Sequence, residues 1–65
     1  MNVSELFAQF SAGIYSWEIT IYDLNECTEI HTNIDDLDSI DKEWLTAEIY
    51  DWTCDGESFT VNVIK

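Results

Sequence analysis

The side chains able to do chemistry are few and unevenly chosen. One histidine (His31), two cysteines (Cys27, Cys54) and fourteen Asp and Glu share 65 residues with two lysines and no arginine. Nothing near His31 or either cysteine supports a nucleophile–base relay. Gly13 and Gly56 are isolated, so there is no glycine-rich loop to cradle a phosphate. Paired carboxylates can shuttle protons, but they need a pocket, and a chain this short has little room for one. His31 falls at an exposed strand position and reads as a surface residue. DWTCDGESFTVN, from Asp51, has aspartates, a threonine and a glycine where a calcium loop wants them, yet Asn62 stands in place of the closing glutamate. DLDSIDKEWLTA, from Asp36, lacks both the glycine and that glutamate. The expectation is a protein that is not an enzyme and has no cofactor, with only weak, non-specific attraction of divalent ions to its acidic segment.

What remains is the charge itself. The formal net charge is -12, whereas solubility of a small domain is served by roughly 2 to 8. Like charge on a small body repels itself and lowers stability, most of all at low salt. A surface of this sign excludes direct binding to nucleic acid or to an anionic membrane. With 46% hydrophobic residues, the chain is too apolar for a disordered acidic tail. It is expected to form one compact domain over residues 1–65. No secretory leader and no apolar run long enough to span a membrane is visible, so a cytoplasmic location with two reduced thiols is expected.

These charges need elements to hold them. SELFAQF reads as a short helix capped by Ser4 and stopped near Gly13. From Ile14 the period becomes two: Tyr15, Trp17, Ile19 and Ile21 face inward, and Ser16, Glu18, Thr20 and Tyr22 outward. A turn at Asn25-Glu26 returns CTEIHT antiparallel, setting Ile21 opposite Ile30, Tyr22 opposite Glu29 and Thr20 opposite His31. In NIDDLDSIDKEW, Leu37, Ile40 and Trp44 share one side of a helix capped by Asn33, and Asp35, Asp36, Asp38, Asp41 and Glu43 cover the rest. The competing reading lets that helix run on to Trp52. A strand over residues 44–53 is preferred, because SFTVNVI needs a partner. Asp55-Gly56 would centre the last hairpin, setting Trp52 opposite Phe59, Tyr50 opposite Val61, Asp51 opposite Thr60 and Thr53 opposite Ser58, with Ile49 outward. The fold class expected is α+β, in the order α-β-β-α-β-β: a small antiparallel sheet of about four strands with one or two short helices on one face.

B-DNA carries one negative charge per about 1.7 Å of axis, and neighbouring side chains on helices and strands stand about 5 to 7 Å apart. Rows of carboxylates can therefore stand in for phosphates. The candidate partner-binding residues are Asp35, Asp36, Asp38, Asp41 and Glu43 on the helix, extended by Glu48, Asp51, Asp55 and Glu57 on the last hairpin and by Glu26 and Glu29 on the first. An exposed Tyr22 would add an aromatic anchor.

A tiny, acidic, aromatic-rich domain resembles the phage and mobile-element proteins that disarm host defence, namely DNA-mimic anti-CRISPR proteins and ArdA-like anti-restriction proteins. EWLTAEIYDWTCDGESF (Glu43 to Phe59) is similar to the acidic-aromatic stretch that follows a helix in ArdA. This likeness covers about a quarter of the chain, and ArdA is much longer. What the resemblance implies is an inhibitor that occupies the DNA- or guide-binding groove of a Cas effector or restriction enzyme. The alternative is a small acidic adaptor that binds a protein partner through its sheet edge or aromatic face. A homodimer through that edge is compatible with either.

Overall fold

The structure, a computed structural model, describes residues 1–9 and 17–65. Phe10 of the expected first helix, the stop at Gly13 and the start of the first strand at Ile14 to Ser16 lie outside the described residues. The elements run α1 (Val3–Phe7), β1 (Glu18–Asp23), β2 (Thr28–Thr32), α2 (Lys42–Leu45), β3 (Glu48–Asp55) and β4 (Ser58–Ile64). This is the expected α+β class with four strands and two short helices. The sheet, however, is mixed rather than wholly antiparallel. Its order is β2-β1-β4-β3, and the central pair β1–β4 is parallel. Each hairpin pairs within itself as local sequence demands. The parallel join lines up the most apolar strand of each, with Ile19 beside Phe59, Ile21 beside Val61 and Asp23 beside Val63.

That strip is the core. Ile19, Ile21, Phe59, Val61 and Val63 are buried under Val3, Leu6 and Phe7 of α1 and Trp44 of α2. Each such side chain contributes roughly 1.5–3 kcal/mol by leaving water. Phe59 is the hub of the aromatic packing, with the rings of Phe7, Trp17 and Trp52 each centred 5.5 Å from its own.

Helix α1 is capped by Asn2, not Ser4. The Asn2 side chain accepts from the Glu5 N–H (2.8 Å), and Glu5 Oε1 accepts from the Asn2 N–H (3.0 Å). This reciprocal box needs a Glu or Gln three residues after the cap, and three after Ser4 comes Phe7.

The first hairpin keeps the expected register, including Ile21 opposite Ile30, Tyr22 opposite Glu29 and Thr20 opposite His31. Its turn runs over Leu24 to Cys27. There Asp23 Oδ1 accepts from the Asn25 N–H (2.9 Å), and Cys27 takes a left-handed φ of 56°. Asp23 is wholly buried, and its Oδ2 has no hydrogen-bond partner among the described residues.

The last hairpin slips by two relative to expectation. Asp55 pairs with Ser58, so Gly56-Glu57 forms the two-residue loop. Trp52 faces Val61, Thr53 faces Thr60 and Asp51 faces Asn62. Gly56 has φ 63°, and positive φ at the first loop position is the type II′ pattern, which wants glycine there. A two-residue slip keeps each side chain on its side of the sheet. A bulge at Tyr50, between Ile49 and Asp51, then reverses the alternation. Ile49, expected outward, packs against the core beside Val63, while Tyr50, expected opposite Val61, is 67% exposed.

The acidic segment is not one helix. Residues 34–36 form a turn, Leu37–Ser39 a 3-10 helix, and Ile40 is extended (φ -83°, ψ 161°) before α2 begins. Aspartates at 35, 38 and 41 would sit a turn apart and repel. The side chains of Asn33 and Ser39 also compete for the backbone: Asn33 Oδ1 accepts from the Asp36 N–H (2.9 Å), and the Ser39 hydroxyl donates to the Asp36 carbonyl (2.6 Å). Leu37, Ile40 and Trp44 nonetheless all pack on the core, as their spacing predicts. Because β2 and β3 run in the same direction at opposite edges, this connection has to cross the core face from one edge to the other. Of the residues expected as strand, 44–53, Glu48 onward lie in β3 as preferred, while Trp44 and Leu45 belong to α2, where Trp44 closes the core.

A Cβ at Gly56 would meet nothing within 4 Å, so Gly56→Ala should cost only backbone strain, roughly 1–2 kcal/mol, read by urea unfolding with an unchanged slope. Asp23→Ala removes the acceptor for the Asn25 N–H and should lower stability by roughly 1–3 kcal/mol, read by the same unfolding.

Candidate partner-binding surface

The sheet has one covered face and one open one. Helices α1 and α2 and the crossover connection cover the first. Among the described residues, no helix lies on the second. Strand pairing builds rows across this open face. One runs Glu29, Tyr22, Asn62, Asp51, and the next runs His31, Thr20, Thr60, Thr53. A third holds Glu18, Ser58 and Asp55.

The twelve candidate residues therefore do not form one patch. Tyr22, Glu29, Asp51 and Asp55 share the open face, and Glu48 stands at its margin beside Ile64. Asp35, Asp36, Asp38, Asp41 and Glu43 ride on the crossover connection, on the other side of the sheet. Glu26 and Glu57 occupy turns at opposite ends of the molecule, as the parallel β1–β4 pair dictates. Glu18 was missed, although its outward place in the period-two pattern was readable. Its N–H donates to the Glu57 carbonyl (3.1 Å), which brings Glu18, Asp55 and Glu57 to one end of the sheet.

Several of these acids already have partners. His31 lies 2.8 Å from Glu29 and 3.5 Å from Glu18, with the Thr20 hydroxyl 3.1 Å from its Nδ1. The Met1 amine meets Glu48 at 3.2 Å. Asn62 Nδ2 donates to Asp51 Oδ1 at 2.6 Å. Lys65 Nζ donates to Glu43 Oε1 (3.1 Å) and sits 3.9 Å over the Trp44 ring, its side chain only 16% exposed. Charge and cation–π contact act together there. At the exposed pairs each contact adds at most ~1 kcal/mol.

Tyr22 is half-buried rather than fully exposed. The neighbouring Cys27 side chain raises its phenol pKa above the usual 10.0, first by hydrogen bonding and then electrostatically, helped by desolvation and by Glu29 and Asp23. Cys27 and Cys54 are free and exposed. Among the described residues, no three His, Cys, Asp or Glu side chains gather as a metal site would need, and no helix is long and apolar enough to cross a membrane. Comparison with protein-family models, characterised proteins and solved structures finds no match.

Cys27→Ala removes the side chain that does most to raise the Tyr22 pKa. The tyrosinate absorbance of Tyr22 should then titrate at lower pH, closer to 10.0. An unchanged titration would show that Cys27 is not the cause.

Proposed function

We propose that this protein is a polyanion mimic: a non-catalytic inhibitor that occupies the positively charged nucleic-acid groove of a defence nuclease in the cytoplasm of a bacterial host. The observation that supports this reading best is that thirteen of the fourteen carboxylates, all but Asp23, are exposed. The molecule extends 31 Å by 22 Å by 18 Å. Twelve net charges over 31 Å amount to one per about 2.6 Å, approaching the one per about 1.7 Å of duplex DNA. Solubility does not call for such a density, and self-repulsion opposes it.

Geometry adds a second support. Glu29 and Asp51 lie in one row but on opposite edge strands, three strand spacings apart. At about 4.8 Å each, that is about 14 Å, comparable with the phosphate rows that flank a major groove about 12 Å wide. The charges on the crossover offer a second, more irregular set. Association would be fast, steered by charge, and weakened by salt.

The test is a tagged pull-down from nuclease-treated bacterial lysate, washed at low and high salt, with duplex DNA as competitor. A nucleic-acid enzyme released by DNA and by salt is the expected capture. Asp35→Asn, Asp36→Asn, Asp38→Asn and Asp41→Asn combined should weaken it tenfold or more while raising thermal stability at low salt. Glu29→Gln with Asp51→Asn and Asp55→Asn tests the open face in the same way. A partner indifferent to DNA and salt would overturn the proposal.

A further inference from the structure

We infer that the cleft beside the β2 edge takes an arginine side chain of a partner protein, delivered by an extended segment that pairs with β2. The cleft measures 310 Å³ and is lined by Ile30 and His31 of β2 and by Ser39, Ile40, Asp41 and Trp44 of the crossover. Its strand wall has backbone groups to offer. Glu18 N–H donates to the Glu57 carbonyl (3.1 Å) and Leu24 N–H to the Val63 carbonyl (2.9 Å), so the even-numbered residues of β1 turn their backbone toward β4. Backbone direction alternates along a strand, which leaves Ile19, Ile21 and Asp23 to bond with their register partners Thr32, Ile30 and Thr28. The N–H and C=O of Glu29 and His31 therefore point out of the sheet edge. Among the described residues they meet no other backbone group, and groups so placed pair with an added strand.

The occupant's chemistry follows from the lining. A residue set opposite Ile30 on an added strand sends its side chain to the same side as Ile30, which is the side of the cleft. Ile30, Ile40 and Trp44 offer that side chain apolar walls, and Asp41 adds a carboxylate. Asp41 is exposed and its side chain makes no capping hydrogen bond. No basic group pairs with it among the described residues. A long apolar stem with a cationic head matches such a lining. Arginine fits better than lysine, because its planar fork meets a carboxylate through two hydrogen bonds and is more weakly hydrated. Asp35, Asp36 and Asp38 on the same connection, and Glu29 on the strand, strengthen the attraction. A second copy of this chain cannot be the occupant, since it has no arginine and carries a net charge of -12. The inference rests on the reading above only for the sign of the partner's charge.

The experiment titrates the full isotope-labelled chain with a capped heptapeptide of alternating threonine and valine that has arginine at its centre. One control peptide replaces the arginine by citrulline, which keeps its shape and loses its charge. The other N-methylates the two threonine amides that flank the arginine, which blocks strand pairing and keeps the charge. Expected are chemical-shift changes at the Glu29 to His31 amides, at Ile40 and Asp41 and at the Trp44 indole, with each control peptide bound at least tenfold more weakly. Asp41→Asn, which removes no capping hydrogen bond, should bring the arginine peptide down to the citrulline level. Equal binding of the arginine peptide and either control, undiminished binding by Asp41→Asn, no binding at all, or changes centred on Asp51 to Asp55 would overturn the inference. Failure of DNA to displace the captured enzyme would overturn mimicry alone and leave the peptide result standing.

Discussion

The parallel pairing of β1 with β4 is the constraint on which the rest of this small structure depends. Two hairpins of this length have little stability apart, and their joining makes a single buried strip of Ile19, Ile21, Phe59, Val61 and Val63. It also settles the geometry at the edges. With β1 and β4 parallel, the two hairpin turns point to opposite ends, and β2 and β3 become edges running the same way. The chain between them must then cross a face of the sheet, and it crosses the apolar one. Leu37, Ile40 and Trp44 close the core as it passes, and the aspartates between them stay in water.

The same constraint divides the negative charge. The crossover carries one set of carboxylates on the helical side, and the strand alternation carries another on the open side. Only a few acids of either set meet a basic partner among the described residues. Lys65 is held between Glu43 and Trp44, His31 between Glu29 and Glu18, and the Met1 amine at Glu48. These contacts tie the chain's ends and one edge to the sheet while most of the carboxylates face solvent. Acids therefore face solvent on both sides of the sheet.

Local rules and tertiary demands disagree in three places, and each disagreement has a cause. Asn33 to Trp44 has helical spacing of its apolar residues, yet aspartates a turn apart and backbone-seeking Asn33 and Ser39 side chains break it into a turn, a 3-10 helix and α2. Asp55-Gly56 is a strong hairpin signal, but glycine serves equally well at the first position of a type II′ loop, and that choice moves the register by two. Strict alternation would send Tyr50 inward and Ile49 outward. One bulged residue reverses them, exposing the polar-tipped side chain and packing the aliphatic one against Val63.

The sequence by itself determined the α+β class, the inward faces of β1, β2 and β4, the register of the first hairpin and the surface position of nearly all the acids. These depend on alternation, charge and short-range turn chemistry, all of which act between residues close along the chain. The tertiary structure alone decided the parallel join of the hairpins, the slip and bulge of β3, and the separation of the candidate acids into two faces and two ends. Those features depend on which apolar surfaces meet across long stretches of chain. Many pairings satisfy the local pattern equally well, and only the one that buries Phe59 among Phe7, Trp17 and Trp52 while closing the core selects among them.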